Sequence, residues 1–128
     1  MGGREVRRKR DFDGAPARGE VWWIAFDPGV GSELRKIRPA VVLNIASVGK
    51  LPLRIVVPIT EWHAKWAEVP WIVPLQRSEQ NGLAKDSAAD CFQVKSLSLE
   101  RFQSKMGALK PSEVEEIAAG VALCVGAL

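Results

Sequence analysis

Histidine is nearly absent from this 128-residue chain, and cysteine is scarce. His63 stands alone, and Cys91 and Cys124 form no CxxC pair. Zinc sites draw on several thiolate and imidazole ligands, so structural zinc, His-triad metal chemistry and a two-histidine acid–base mechanism are disfavoured. Both cysteines read as buried free thiols, and neither a metal nor a cofactor is expected. Long apolar runs are also missing. The longest uncharged one, residues 117–128, falls short of the ~20 residues that span a bilayer. It reads as a docked helix rather than an anchor, because acidic residues lead into it. The basic N-terminus has no apolar h-region of a signal peptide. A cytoplasmic protein that keeps its thiols reduced, with no membrane partner, is the expectation.

What is present suits one domain. At 47% apolar residues the chain can bury a core without disulfide or metal staples. The net charge of +3 invites a nucleic-acid partner, but its distribution is uneven. Five of the 18 basic residues and one of the 15 acidic ones fall within the first ten positions, a local net of +4. The other 13 basic and 14 acidic residues leave −1, so the body is not basic. Residues 1–17 carry no apolar period and read as a flexible basic arm, with the domain proper at 18–128. Within the body one basic cluster stands out: Arg35, Lys36 and Arg38, beside Glu33.

Strand signals dominate from residue 20. Glu20–Phe26 is β-branched and aromatic and is closed by Asp27-Pro28-Gly29. Pro39–Ile45 and Leu53–Thr60 follow, with Pro58 expected at a strand end or edge. Trp71–Leu75 and Ala88–Val94 read as a fourth and fifth strand, and Ser104–Ala108 as another short one. The period then changes. Val114, Ile117, Ala118, Val121, Val125 and Leu128 lie on one face of a helix, with Ser112 and Glu115 as its capping box. Gly120 and Gly126 weaken that helix, which must depend on packing. No internal repeat or low-complexity block appears. The class expected is mainly β (α+β): a small, mostly antiparallel β-barrel with a C-terminal helix packed on it.

Three segments carry chemistry. The first is Gly19-Glu20-Val21-Trp22, Asp27-Pro28 and Gly31-Ser32-Glu33-Leu34-Arg35-Lys36-Ile37-Arg38-Pro39-Ala40-Val41-Val42. The second is Val56-Val57-Pro58-Ile59-Thr60, and the third Asp86-Ser87 with Cys91-Phe92-Gln93-Val94-Lys95-Ser96-Leu97. In order and spacing they resemble the MazF/PemK family of toxin endoribonucleases over residues 18–128, with Arg101 similar to a basic residue of that family's tail. The resemblance implies an SH3-like barrel of the MazF/PemK/CcdB type and a homodimer. It implies metal-independent cleavage of single-stranded RNA to 2′,3′-cyclic phosphate and 5′-hydroxyl ends. It also implies a cognate antitoxin, MazE/PemI-like, that lays an extended acidic segment across the RNA groove. The family's catalytic arginine corresponds to Arg38 and its catalytic threonine to Thr60. Leu34 replaces the usual Gln, and Lys95 stands where Arg is common. Asp90 and Phe92 occupy positions that are catalytic in the Kid branch, so that version is absent here.

The residue types suit the chemistry. A neighbouring 2′-hydroxyl is already in the substrate, so orientation is largely intramolecular. The protein must stabilise phosphoryl charge, and arginine offers a permanent cation with a planar donor fork. Arg38 is poorly suited to be a base, since its pKa exceeds ~12; Glu33 is the candidate base, or it orients Arg38. Arg35 and Lys36 read as phosphate contacts or as an ordinary solvated loop. Trp62 and Lys65 follow Thr60, and aromatic–basic pairs hold single strands by stacking; Trp62 and Trp66 equally suit a core or dimer-interface pair. Gln93 suits RNA contact or pairing of barrel backbone, and Lys95 keeps a cation for RNA. Trp22 and Trp23 read as core and surface neighbours without direct function. The rival from another class is a CcdB-type gyrase-binding toxin of the same fold, with no RNA chemistry.

Overall fold

The computed structural model describes residues 14–26, 36–48 and 51–127. Its seven strands are β1 (Glu20–Ala25), β2 (Ile37–Val42), β3 (Leu53–Glu61), β4 (Ile72–Leu75), β5 (Ser87–Asp90), β6 (Lys95–Ser98) and β7 (Phe102–Ala108). One helix, α1 (Pro111–Cys124), follows them. Every pairing is antiparallel, and the order is β4-β5-β3-β2-β1-β7, with β6 also on β3. The architecture is thus a mainly antiparallel sheet with a C-terminal helix. The expected barrel is not closed by a ladder: among the described residues the strand path stays open between β4 and β7. The sheet nevertheless curls. Strands β6 and β7 lie at opposite edges of the run β6-β3-β2-β1-β7, yet only the 3-10 turn Leu99–Arg101 separates them. That turn touches both neighbours: Leu99 N–H donates to Pro52 O at 3.0 Å, ahead of β3, and Arg101 Nη1 donates to Ala25 O at 3.2 Å, at the end of β1.

Alternation along the strands makes two cores. Ile24, Ala40, Val42, Val56 and Leu97 pack on one face with Trp22, Phe26 and Phe102. Val21, Val41, Val57 and Ile59 face the other way, against β4, β5 and α1 through Val73, Leu75, Val114 and Ile117. Period-two side chains require this division, so residues on both faces of β2 and β3 are buried.

Several boundaries differ from the sequence expectation. The stretch Ala88–Val94 is not one strand: Asp90 accepts Phe92 N–H at 3.2 Å, starts a 3-10 turn at Cys91–Gln93 and separates β5 from β6. Pro58 is buried inside β3 rather than at its end, paired with Ala40. Helix α1 is capped two residues earlier than Ser112 suggests, at Lys110. Pro111 takes the first helical position, where a missing N–H costs nothing, and Glu113 Oε1 accepts the Lys110 N–H at 3.0 Å. Glu115, freed from capping, meets Arg18 at 3.4 Å. Of the segment read as an arm, residues 14–17 are described: Pro16 is buried, and its carbonyl accepts Arg54 Nε at 2.8 Å.

Gly120 explains why α1 carries a poor helix former. A Cβ there would lie 2.5 Å from Cys91 Sγ, so the helix approaches the 3-10 turn only because the side chain is absent. The Cys91 thiol is buried, donates to Ile117 O at 3.4 Å, and is pushed up to about 12 by that burial. It is therefore protonated and poorly nucleophilic near neutral pH. Iodoacetamide on the native protein is expected to modify Cys124, which is half-buried, and to spare Cys91 until urea unfolds the chain. Intact-mass spectrometry checks this as one adduct before unfolding and two after; two adducts at similar native rates would show that α1 detaches.

Candidate active site

The β2–β3 ladder ends at Ala40 and Pro58. Beyond it β3 turns to β5, where Thr60 pairs with Ala88, while β2 stays on β1, where Arg38 pairs with Ile24. Two residues further along the β2–β3 register, Arg38 stands opposite Thr60, but the two strands have parted. An open cavity of about 470 Å³ fills this fork. Arg38, Pro39, Ile59, Thr60 and Glu61 line it, with Trp23 from β1, Met106 from β7, Gly82–Lys85 from the β4–β5 connection and Ser87 from β5.

The β4–β5 connection is held against β7 by backbone contact. Gly82 has φ +73°, and a Cβ on it would lie 2.3 Å from Met106 O; a Cβ on Gly107 would lie 2.3 Å from Gln80 O. Ala108 N–H donates to Gln80 O at 2.9 Å. Buried Asn81 braces the inside of the loop: its Oδ1 accepts from Ser78 N–H and Leu83 N–H, and its Nδ2 donates to Gln76 O. The Asp86-Ser87 motif fastens the exit. Asp86 accepts from Arg77 N–H and, through its carbonyl, from Trp62 N–H, while Ser87 Oγ donates to Lys85 O. Lys85 is thereby delivered to the cavity, where its Nζ meets Glu61 Oε1 at 3.0 Å. The hydrogen bond and charge of Lys85 hold the Glu61 carboxyl below the usual carboxylate range. The pocket thus presents Arg38, Lys85 and an ionised Glu61 around an apolar floor.

The sequence candidates divide. Arg38 and Thr60 share the cavity. Glu33 and Arg35 lie outside the described residues. Lys36 is exposed two positions before Arg38, and its carbonyl accepts Phe26 N–H at 3.0 Å. Lys95 approaches the same phenyl ring, its Nζ 5.5 Å from the centroid. Trp62, Lys65 and Gln93 are not among the lining residues. Lys65 Nζ sits 5.8 Å from the Trp66 ring, and Trp66 meets His63 edge-on at 5.0 Å. Gln93 Nε2 donates to Asp90 Oδ2 at 2.9 Å, an attachment within its own turn. Sequence reasoning missed Trp23, Glu61 and Lys85. Lys85 had a usable signal, as the residue just before the Asp86-Ser87 motif; Trp23 had its strand parity, opposite that of Trp22.

Among the described residues, no group of three His, Cys, Asp or Glu side chains gathers to hold a metal ion, and no helix is long and apolar enough to cross a membrane.

Residues 17–125 match the family described as PemK-like, MazF-like toxin of type II toxin-antitoxin system. The chain belongs to this family. It is 32% identical over 106 residues to endoribonuclease MazF9 of Mycobacterium tuberculosis, covering 78% of this chain and 87% of that protein. It is 34% identical over 113 residues to endoribonuclease toxin MazF of Escherichia coli, covering 87% and 95%. In fold it is similar to the MazE-MazF crystal structure from Deinococcus radiodurans, with a TM-score of 0.70 and 23% identity over 87% of this chain and 96% of that one. Arg38 and Thr60, the two residues singled out by motif resemblance, both line the cavity where β2 and β3 part.

Proposed function

We propose that the chain is the toxin of a type II toxin–antitoxin pair and a sequence-specific endoribonuclease of single-stranded RNA, mRNA included, that needs no metal. The observation that carries this reading is a permanent cation, Arg38, and a hydroxyl, Thr60, lining one open cavity where their strands part. In the reaction, the ribose 2′ oxygen attacks the adjacent phosphorus. The P–O2′ bond forms as the P–O5′ bond breaks; a base takes the 2′ proton, and the departing 5′ oxygen gains one. The products are a 2′,3′-cyclic phosphate and a 5′-hydroxyl, and no water or cofactor is consumed.

Arg38 stabilises the extra charge on the phosphoryl oxygens and donates the proton that the leaving 5′ oxygen gains. The Thr60 hydroxyl adds one oriented donor. Glu33 receives the 2′ proton or orients Arg38, and Arg35, Lys36 and Lys95 contact flanking phosphates. Trp62, Lys65 and Gln93, outside the cavity, serve only a longer RNA path. The endoribonuclease names of relatives above 30% identity support the activity. Similar structures solved with MazE or a cognate antitoxin support an antitoxin partner, and in our proposal an acidic segment of that partner lies across the same cavity. A cytoplasmic homodimer, with β6-β3-β2-β1-β7 curled as an SH3-like barrel, completes the proposal.

The test is incubation of the purified protein with a long single-stranded RNA in excess EDTA. Discrete fragments ending in cyclic phosphate and starting with 5′-hydroxyl are expected. Intact RNA together with inhibited DNA gyrase would overturn the proposal in favour of a gyrase-binding toxin.

A further inference from the structure

The geometry points to Trp23 as the surface on which a nucleobase stacks beside the scissile phosphate, a positioning residue for substrate; this rests on the ribonuclease reading above. Its neighbour Trp22 is fully committed: the indole meets Phe102 edge-on at 5.8 Å, and its Nε1 donates to Glu20 Oε1 at 3.0 Å. Trp23 points the other way and stays 39% exposed. Its register partners are Pro39 on β2 and Ser104 on β7, both too small to cover an indole. It lines the same cavity as Arg38, and so does Pro39, its register partner on β2.

The occupant can be read from the chemistry of the walls. Lys85 is already paired with Glu61, so the walls offer a ligand two features: flat apolar surface from Trp23, with Met106, and the Arg38 cation beside it. A ligand that satisfies both must join a planar apolar ring to an anion a short distance away, which describes a nucleotide. Stacking on an indole is tolerant of sequence, because every base has a π-face. Trp23 therefore contributes affinity and the placing of the phosphate on Arg38, and base choice falls to other groups.

The test uses fluorescence-anisotropy binding of a mixed-sequence 2′-O-methyl RNA 20-mer, which lacks the attacking hydroxyl, and an abasic strand of the same length and charge. Trp23→Ala is expected to lose about 10-fold in affinity for the base-bearing strand and less than about 2-fold for the abasic strand. Trp23→Phe should retain most of the difference between the strands. If Trp23→Ala fails to melt as a folded protein, Trp23→Leu replaces it with the same expectation. Unchanged affinity for the base-bearing strand, or an equal loss on both strands, would overturn the role of Trp23 while leaving the ribonuclease reading intact. Failure of the unsubstituted protein to bind either strand would sink both.

Discussion

Arg38→Ala is expected to slow RNA cleavage by about 10³-fold or more while leaving the thermal melt within a degree or two of the unsubstituted protein. The size follows from what is removed. Loss of a single neutral donor from an oxyanion-type site costs about 10²–10³ in rate, and this change deletes a full charge together with a bidentate fork. The small stability cost follows from the place: Arg38 is exposed at the mouth of a cavity and packs in neither core. Arg38→Lys should recover little, because an ammonium keeps the charge and loses the planar geometry. Single-turnover kinetics on one RNA, with melting followed by circular dichroism, separate the two effects. Undiminished cutting by Arg38→Ala would remove this residue from the chemistry.

Gly107→Ala is expected to destabilise the fold by about 3 kcal/mol, the upper part of the range for overpacking, lowering Tm by roughly 10 °C. The new methyl would meet backbone, 2.3 Å from Gln80 O and 2.6 Å from Asn81 C, so no side-chain rotation relieves it. The β4–β5 connection must move off β7, taking Gly82–Lys85 out of the cavity wall. A second consequence is therefore weaker RNA binding at temperatures where the protein is still folded. A melt unchanged by Gly107→Ala would show that the loop does not sit as tightly on β7 as described.

Much of this architecture was legible because local pattern and tertiary environment agree. The β-branched and aromatic run from Glu20 and the apolar run entering β2 at Pro39 announced strands, and the three-four spacing of Val114, Ile117 and Val121 announced α1. The failures have physical causes. Ala88–Val94 looks like one strand because its interruption comes from a single side chain, Asp90, accepting a backbone N–H two residues on. Ser112 looks like a helix cap, but Pro111 fixes the first helical φ one residue earlier. Pro58 looks like a terminator, yet it falls where β3 exchanges β2 for β5.

The candidate site divides along the same line. Arg38 and Thr60 could be named from motif spacing, since both sit on strands whose register brings them together. Trp23 and Lys85 carried only indirect signals, strand parity and nearness to Asp86-Ser87, because their shared cavity depends on the β4–β5 connection being clamped to β7. Trp62 and Lys65 seemed well placed only through their nearness to Thr60 in the chain; after Glu61 the backbone leaves the sheet, and sequence proximity stops meaning proximity to the cavity.

The three-residue turn between β6 and β7 has a mechanical consequence. A sheet edge ordinarily frays by itself, one strand peeling away while the rest holds. Here Leu99 is fastened beside β3 and Arg101 beside β1, so lifting either outer strand strains the hold of the other. The curled half of the molecule behaves as a buckled strap rather than a loose ribbon, and the fork that holds Arg38 and Thr60 is stiffened from behind without any contact to the cavity.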